Sequence, residues 1–314
     1  MLCSIIIRCY NEEKYIGRLL HGITHQSVKD LEILLIDSGS TDSTLSIASK
    51  YATKIIYISP EHFSFGRALN IGCEKAKGRY YLFISAHCYP VYDDWLEQII
   101  KPFSNQNVAL VYGKQRGTIT TKFSEEQIFE KWFPNKSNYK QNYPFCNNAN
   151  AAIRADLWKT YKFNELLTGL EDIDWAFHQI KSGYTIAYNA GALIIHQHEE
   201  SWSSIRNRYF REGIAMKNIF PHQKFSVLSF FQLFFVNVLS DTISALKKNS
   251  IRKNLAGIIK FRFFQFWGTY RGFATNKPLT HLLKRRIYYP NSLINLDDEI
   301  EVERIKHIID YSKK

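Results

Sequence analysis

Cysteine is scarce in this 314-residue chain and is not arranged for cross-linking. The five residues, Cys3, Cys9, Cys73, Cys88 and Cys146, are odd in number and scattered, with no CxxC pair. That excludes a disulfide framework and a zinc–cysteine site, and points to a reducing compartment. The glycine-rich cradles GxGxxG and the P-loop are missing, so the usual nucleotide motifs do not apply. No cleavable leader is expected, because Ser4-Ile5-Ile6-Ile7 already reads as a first strand. The most apolar run, Phe225 to Leu239, stops at about 15 residues, short of the roughly 20 that span a bilayer. Internal repeats and low-complexity tracts are lacking as well. Acidic residues thin out towards the end. Residues 1–204 carry 21 charges of each sign, whereas residues 205–314 carry 20 basic against 8 acidic, so the excess of +12 lies wholly in the last third. A neutral front and a basic back suggest two functional regions, the second facing anions.

What the front does contain is strands alternating with helices. Ser4 to Arg8, Leu31 to Ile36, Lys54 to Ile58 and Tyr80 to Ile84 are β-rich runs. Between them, Ile16, Leu19, Leu20 and Ile23 recur on one helical face after Asn11, a candidate N-cap, and Phe65 to Ala76 predicts another helix. Thr41 or Asp42 would cap a helix running to Tyr51. This order implies a mostly parallel α/β sheet with right-handed crossovers. Asp93 to Phe103 predicts a helix capped by Asp93-Asp94, and Val108 to Gly113 a strand. Residues 114–145 have no clear period and read as a loop with a short helix near Glu125–Trp132. Asn150 to Arg154 predicts a strand and Ala155 to Thr160 a helix. Leu170 to Ser182 predicts a helix with Ile173, Ala176, Phe177 and Ile180 on its buried face, ended by Gly183. Two short strands follow, Thr185 to Tyr188 and Ala192 to Ile195. From Ser203 the chain reads helical. Aromatics mixed with Arg206, Lys260, Arg262, Arg271 and Lys284-Arg285-Arg286 suit either packing on the front domain or an anionic membrane surface along residues 205–290.

Five segments in register carry a resemblance: Ser4-Ile5-Ile6-Ile7-Arg8-Cys9-Tyr10-Asn11-Glu12-Glu13, Leu35-Ile36-Asp37-Ser38-Gly39-Ser40-Thr41-Asp42, Phe65-Gly66-Arg67-Ala68-Leu69-Asn70, Gly169-Leu170-Glu171-Asp172-Ile173-Asp174-Trp175, and the cluster His196-Gln197-His198. Over about residues 1–215 they resemble glycosyltransferase family 2, of the GT-A fold, and most of all its bacterial rhamnosyltransferase-like branch. Residues 216–314 lie outside the common core.

The resemblance implies a catalytic domain over residues 1–204, with the nucleotide-sugar side in 1–113 and the acceptor side in 114–204, followed by a helical region over 205–314. It implies an inverting hexosyltransferase that uses a dTDP-rhamnose or UDP-hexose donor. The acceptor would be a glycan or lipid-linked glycan in bacterial O-antigen or capsule assembly, at the cytoplasmic side of the inner membrane. Arg8, Tyr10, Glu12, Asp37, Arg67, Ser85, Ala86 and His87 would bind the donor, Asp37 through the imide N–H of its base. Asp172 would be the general base. Asn148, Asn150, Glu171 and Trp175 would face the sugar or acceptor, Trp175 alternatively being core. Asn70 would be a structural hydrogen-bonder.

The departure from the family lies after the fourth strand. Where an Asp-x-Asp motif holds Mn²⁺ or Mg²⁺, this chain has Ser85-Ala86-His87. His87 with His196, or alternatively His198, would then hold the ion, a donor set better suited to Mn²⁺ than to Mg²⁺. A metal-free alternative stays open, in which protonated His87 and Arg206, Arg208 or Arg211 offset the diphosphate. So does a binding protein that keeps the fold without the chemistry. No nucleic-acid motif supports a nucleic-acid partner, and self-association is left open.

Overall fold

The first strand shows why this sheet is buried on both faces. Cys-Ser-Ile-Ile-Ile-Arg-Cys is β-branched and apolar at almost every position, and β1 (Cys3–Cys9) is buried along nearly its whole length. Its one uncharged polar residue, Ser4, is satisfied: Oγ donates to Glu32 Oε1 at 2.6 Å and accepts the Gly78 N–H at 2.8 Å. A computed structural model describes residues 1–197, 199–276 and Tyr288 of the chain. Two compact units divide it, Met1–Asn276 and Lys277–Lys314, and every element named below lies in the first. His198 and Lys284-Arg285-Arg286 lie outside the described residues.

In chain order the elements are β1, α1 (Ile16–Thr24), β2 (Leu31–Asp37), α2 (Thr44–Ala48), β3 (Thr53–Tyr57), α3 (Phe65–Lys75), β4 (Tyr80–Ile84), β5 (Cys88–Pro90), α4 (Trp95–Ile100), β6 (Val108–Arg116), α5 (Phe123–Trp132), β7 (Asn138–Gln141), β8 (Asn150–Arg154), α6 (Ala155–Thr160), α7 (Glu171–Lys181), β9 (Thr185–His196), α8 (Trp202–Ile219), α9 (Val227–Lys247) and α10 (Ile251–Ala274). The sheet runs β3-β2-β1-β4-β8-β6-β9-β5, with β7 also on β9. β3, β2, β1 and β4 are parallel, β8 is antiparallel to both neighbours, and β6 pairs parallel with β9. The sheet is therefore parallel over β3-β2-β1-β4 and mixed beyond it. One face packs on α1, α2 and α4, the other on α3, α5, α6 and α7. All five cysteines are buried and unpaired.

Several sequence expectations need correcting. Asn11 does not cap α1, which starts five residues later. Asn11 adopts φ 53° and its side chain accepts the Thr41 N–H. α2 is one short turn, and α4 begins at Trp95 rather than Asp93. The two short strands after Gly183 are one 12-residue strand, β9. β5 and β7 fall where no strand is expected. α7 buries Glu171, Asp172, Trp175, Ala176 and Gln179, not the Ile173–Phe177–Ile180 stripe. Phe177 instead meets Phe220, just past α8, at 5.0 Å. The largest correction concerns α9. It is a 21-residue helix, long and apolar enough to cross a bilayer by length and composition, and only 11% of its apolar window is buried.

The helical region is joined to the front by close packing. α10 lies against α8 where Gly213, Gly268 and Gly272 let the backbones approach. A Cβ on Gly268 would fall 2.6 Å from the Arg206 carbonyl oxygen, and one on Gly213 would fall 2.7 Å from that of Thr269.

Candidate active site

Parallel strands leave their carboxyl ends on one edge, where loops can converge on a ligand. β1 delivers Arg8 and Glu12 there, β4 delivers Ser85 and His87, and β9 ends in His196. The segment leading into antiparallel β8 adds Asn147 and Asn148. Together with Phe65, the first turn of α7, and Arg208, Arg211 and Glu212 from α8, they line a cavity of about 410 Å³.

One end of the cavity is a chain of four side chains. Glu12 Oε1 lies 2.9 Å from His87 Nδ1, His87 Nε2 lies 3.1 Å from His196 Nε2, and His196 Nδ1 lies 2.8 Å from Gln115 Oε1. With acceptors behind both Nδ1 atoms, the two Nε2 atoms turn lone pairs towards each other. A cation between them, a shared proton or a metal ion, removes that repulsion. Burial pushes the His87 pKa down, but the Glu12 carboxylate outweighs it and the value is raised. Carboxylate or amide acceptors that orient imidazoles from behind are also the arrangement seen around metal-bound histidines. The donor set fits a divalent ion that accepts imidazole. Among the described residues no third His, Cys, Asp or Glu completes a cluster.

The other end is acidic and is built by a strained turn. Leu170, in the N-cap position of α7, adopts φ 58°, a conformation that costs a branched residue about 1 kcal/mol or more. It turns Glu171 and Asp172 into the cavity. Glu171 is paired with Arg8 at 2.7 Å. Asp172 accepts the N–H of Asn148 and of Ile173, both at 2.9 Å. Burial first, and the neighbouring Glu171 charge second, raise its pKa to about 7, against the pull of those two N–H groups. The Asn148 side chain is buried with neither its oxygen nor its nitrogen hydrogen-bonded, an uncommon state for a buried amide at a cavity wall.

The wall facing the sheet comes from α8. Arg208 pairs with Glu125 at 2.8 Å and Glu200 at 2.6 Å. The Arg211 guanidinium sits 4.4 Å from the Phe65 ring centroid, and that of Arg8 sits 4.7 Å from the same ring. The buried Nε of Arg211 has no hydrogen-bond partner. Arg208 and Arg211 thus bring positive charge from outside the sheet.

Of the residues expected at the site, Arg8, Glu12, Ser85, His87, Asn148, Glu171, Asp172 and His196 meet in this cavity. Others do not reach it. Asn150 is fully buried: it accepts the Trp95 Nε1–H and donates to the carbonyls of Lys114 and Ala192, so it is a structural clamp and not a sugar reader. Trp175 is core, donating to the Tyr161 carbonyl. Arg67 is half exposed on α3, 4.0 Å from Glu165. Ala86 is buried outside the lining, and Arg206 is exposed. Asp37 is buried and accepts the N–H groups of Gly39 at 3.0 Å and Ser40 at 3.1 Å. That loop is tied to the Tyr10–Glu12 turn through Ser40 Oγ and Asn11. Asn70 bonds within the fold, as expected. Gln115, Phe65, Glu200 and Glu212 are unforeseen. Only Glu212 leaves a trace in the sequence, since Arg208, Arg211 and Glu212 share one helical face.

A nucleotide-scale cleft at the carboxyl edge of a half-parallel sheet, with a buried aspartate at one end and paired histidines at the other, defines a glycosyltransferase of the GT-A type. The family model described as Glycosyl transferase family 2 matches residues 4–161, half of the chain, and the chain belongs to that family. It is 30% identical over 213 residues to the O-antigen chain rhamnosyltransferase WbaN of Salmonella anatum, covering 62% of this chain and 65%, just under two-thirds, of that one. It is 25% identical over 226 residues to the O-antigen chain rhamnosyltransferase RfbN of Salmonella typhimurium, covering 68% and 72%. The mannosyltransferase PcManGT from Pyrobaculum calidifontis, solved with GDP-Man and Mn²⁺, shares the fold at a TM-score of 0.59 and 16% identity, over 92% of this chain and 87% of that one.

Proposed function

We propose that the chain moves a sugar, with inversion, from a nucleoside-diphosphate donor of the dTDP-rhamnose or UDP-hexose class to a hydroxyl of a glycan or lipid-linked glycan. The setting is assembly of a bacterial surface polysaccharide, O-antigen or capsule, on the cytoplasmic side of the inner membrane. The names of WbaN and RfbN support the sugar class. The observation that carries the reaction is Asp172: a buried carboxylate at the cavity wall, fixed by two backbone N–H groups, with a pKa of about 7.

In this reading residues 1–113 hold the donor and residues 114–204 face the acceptor. The donor base lies along the joined Tyr10–Glu12 and Asp37–Ser40 turns, and its diphosphate lies towards Ser85, His87 and Arg211. Asp172 removes the acceptor hydroxyl's proton as that oxygen attacks the anomeric carbon. The bond from that carbon to the diphosphate oxygen breaks, the nucleoside diphosphate departs with the electron pair, and the proton stays on Asp172. A base with a pKa near the working pH is suited to this step. Asn148, through its unpartnered amide, orients sugar hydroxyls. Glu171, held by Arg8, keeps a negative charge next to Asp172 and so maintains its proton affinity. Arg211 faces the charge that grows on the leaving group. A divalent ion, Mn²⁺ rather than Mg²⁺ by its imidazole donors, would be held by His87 and His196 and would supply further positive charge beside the diphosphate.

The test is donor turnover with an acceptor glycan, for wild type and Asp172→Asn, with and without EDTA. Loss of turnover in Asp172→Asn with donor binding retained is the expected result; unchanged turnover refutes the assignment. The missing carboxylates at Ser85 and His87 favour a second reading, a protein that binds sugar nucleotides without transferring sugar. Wild type that binds donor and yields neither transfer nor hydrolysis establishes it.

A further inference from the structure

Among the described residues little packs against the outer face of α9, and that face is mostly apolar, with Gln232 and Thr242 the polar positions in it. Leu228, Phe231, Phe235, Leu239, Ile243 and Leu246 fall within one stripe about 120° wide, and each is exposed, Leu228 at 76% and Phe235 at 62%. The opposite face, marked by Phe230, Asp241 and Ala245, is the buried one. On α10, Phe263 packs edge-on to Phe230 and Phe234 at 6.0 and 6.4 Å while staying 41% exposed, and Leu255 and Ile259 are exposed apolar residues as well. An exposed apolar surface of this extent marks an interaction site.

We propose that the α9–α10 hairpin docks flat on an anionic lipid bilayer, with this face in the headgroup–acyl boundary. The charge around the patch selects that occupant. Residues 220–276 hold eight Lys and Arg and a single acidic residue, Asp241, which is consumed by Arg262 through two 2.8 Å bonds. Lys247, Arg252, Lys253 and Lys260 rim the apolar face and are exposed. A second copy of the chain would bring the same basic rim against itself across a two-fold axis, and like charges oppose that contact. Anionic headgroups neutralise the rim while acyl chains take the aromatic stripe.

The hairpin lies along the surface and does not cross it. Lys260, near the middle of α10, shares the exposed face, so a spanning hairpin would place that ammonium in hydrocarbon. The buried Asp241–Arg262 pair holds α9 against α10, and α10 is in turn packed on α8. The docking surface is narrower than residues 205–290: α8 takes no part, because its charged face lines the catalytic cavity. This inference is independent of the transfer reaction, because it rests on helices that carry no catalytic residue.

Flotation of the full chain with vesicles of phosphatidylglycerol or of phosphatidylcholine alone tests it. The chain is expected to float with the anionic vesicles, to be released by high salt, and to stay in solution with the neutral ones. Phe231→Glu with Phe235→Glu should lower the bound fraction more than about tenfold, because each Phe loses its buried apolar area. Arg252→Glu with Lys253→Glu should lower it several-fold and flatten the salt dependence. Circular dichroism and the melting temperature report folding, and Leu239→Glu with Ile243→Glu is the substitute should the first pair fail to fold. Equal binding to both vesicle types overturns the proposal. So does membrane-bound protein that resists alkaline carbonate, which means spanning. So does a concentration-dependent dimer in sedimentation that Phe231→Glu dissolves while vesicle binding is absent.

Discussion

The front of the molecule, residues 1–196, and the back, residues 202–274, treat their polar and apolar groups in opposite ways. In the front, apolar side chains are buried on both faces of the sheet, and groups such as Ser4, Asp37 and Asn150 find partners inside the fold. In the back, α8 turns an unpartnered arginine nitrogen into the cavity and α9 turns an apolar stripe to the outside. Asn148 apart, the front is made to hold a geometry, and the back turns more of its surface towards something the chain does not contain. If the difference is real, substitutions in the front should change chemistry, and those in the back should change what is bound and where.

Asp172→Asn is expected to break the front most. Transfer should fall by roughly 10²–10⁴-fold, the usual worth of a general base, measured as initial rates at saturating donor. Stability should move the other way. The folded-state pKa of Asp172 lies above its unfolded value of 3.8, so its contribution to stability is full below pH 3.8 and is lost progressively as pH rises from there through about 7. At pH 8 the Asn variant should therefore melt no lower than wild type, with its relative advantage shrinking towards acid pH. His87→Ala should cost about 10²-fold and abolish any response to EDTA; a rate that stays EDTA-sensitive would place the ion elsewhere. In wild type, kcat/KM should rise about tenfold per pH unit up to a plateau near pH 7, as Asp172 becomes the base, and this acid limb should vanish in Asp172→Asn. Arg211→Gln probes the boundary between the regions. As a back residue that faces the cavity, it should raise the donor KM by about tenfold, the worth of one charge-assisted hydrogen bond, with a smaller effect on kcat. A purely structural Arg211 would lower the melting temperature without that split.

Much of the front is legible in the sequence because its signals are local. Apolar runs mark β1, β2 and β4, β-branched in β1 and aromatic in β4, Ser64 caps α3 at Arg67 N, and Gly183, at φ 89°, ends α7. His87 and His196 can be matched from motif order before their rings are seen to meet. What cannot be read is whatever depends on two distant segments at once. Nothing in Lys114 to Arg116 announces that Gln115 stands behind His196. The antiparallel insertion of β8 between β4 and β6 is a matter of topology. The apolar stripe of α7 misleads because Phe177 faces the helical region, while Glu171 and Asp172 beside it are buried at the cavity. α9 looks short because Ser240 and Asp241 end the apolar run, though a helix tolerates Asp241 where it is paired with Arg262.

The three glycines between α8 and α10 touch no ligand, yet they set the tolerance of the whole back. Where two backbones meet with no side chains between them, there is no slack to absorb a shift. A displacement of α10 passes to α8 without loss, and α8 carries Arg208 and Arg211. If α10 rests on a bilayer, the lipid surface and the cavity wall are two ends of one stiff strut. Gly268→Ala would then misplace a guanidinium a long way from the methyl group that did it.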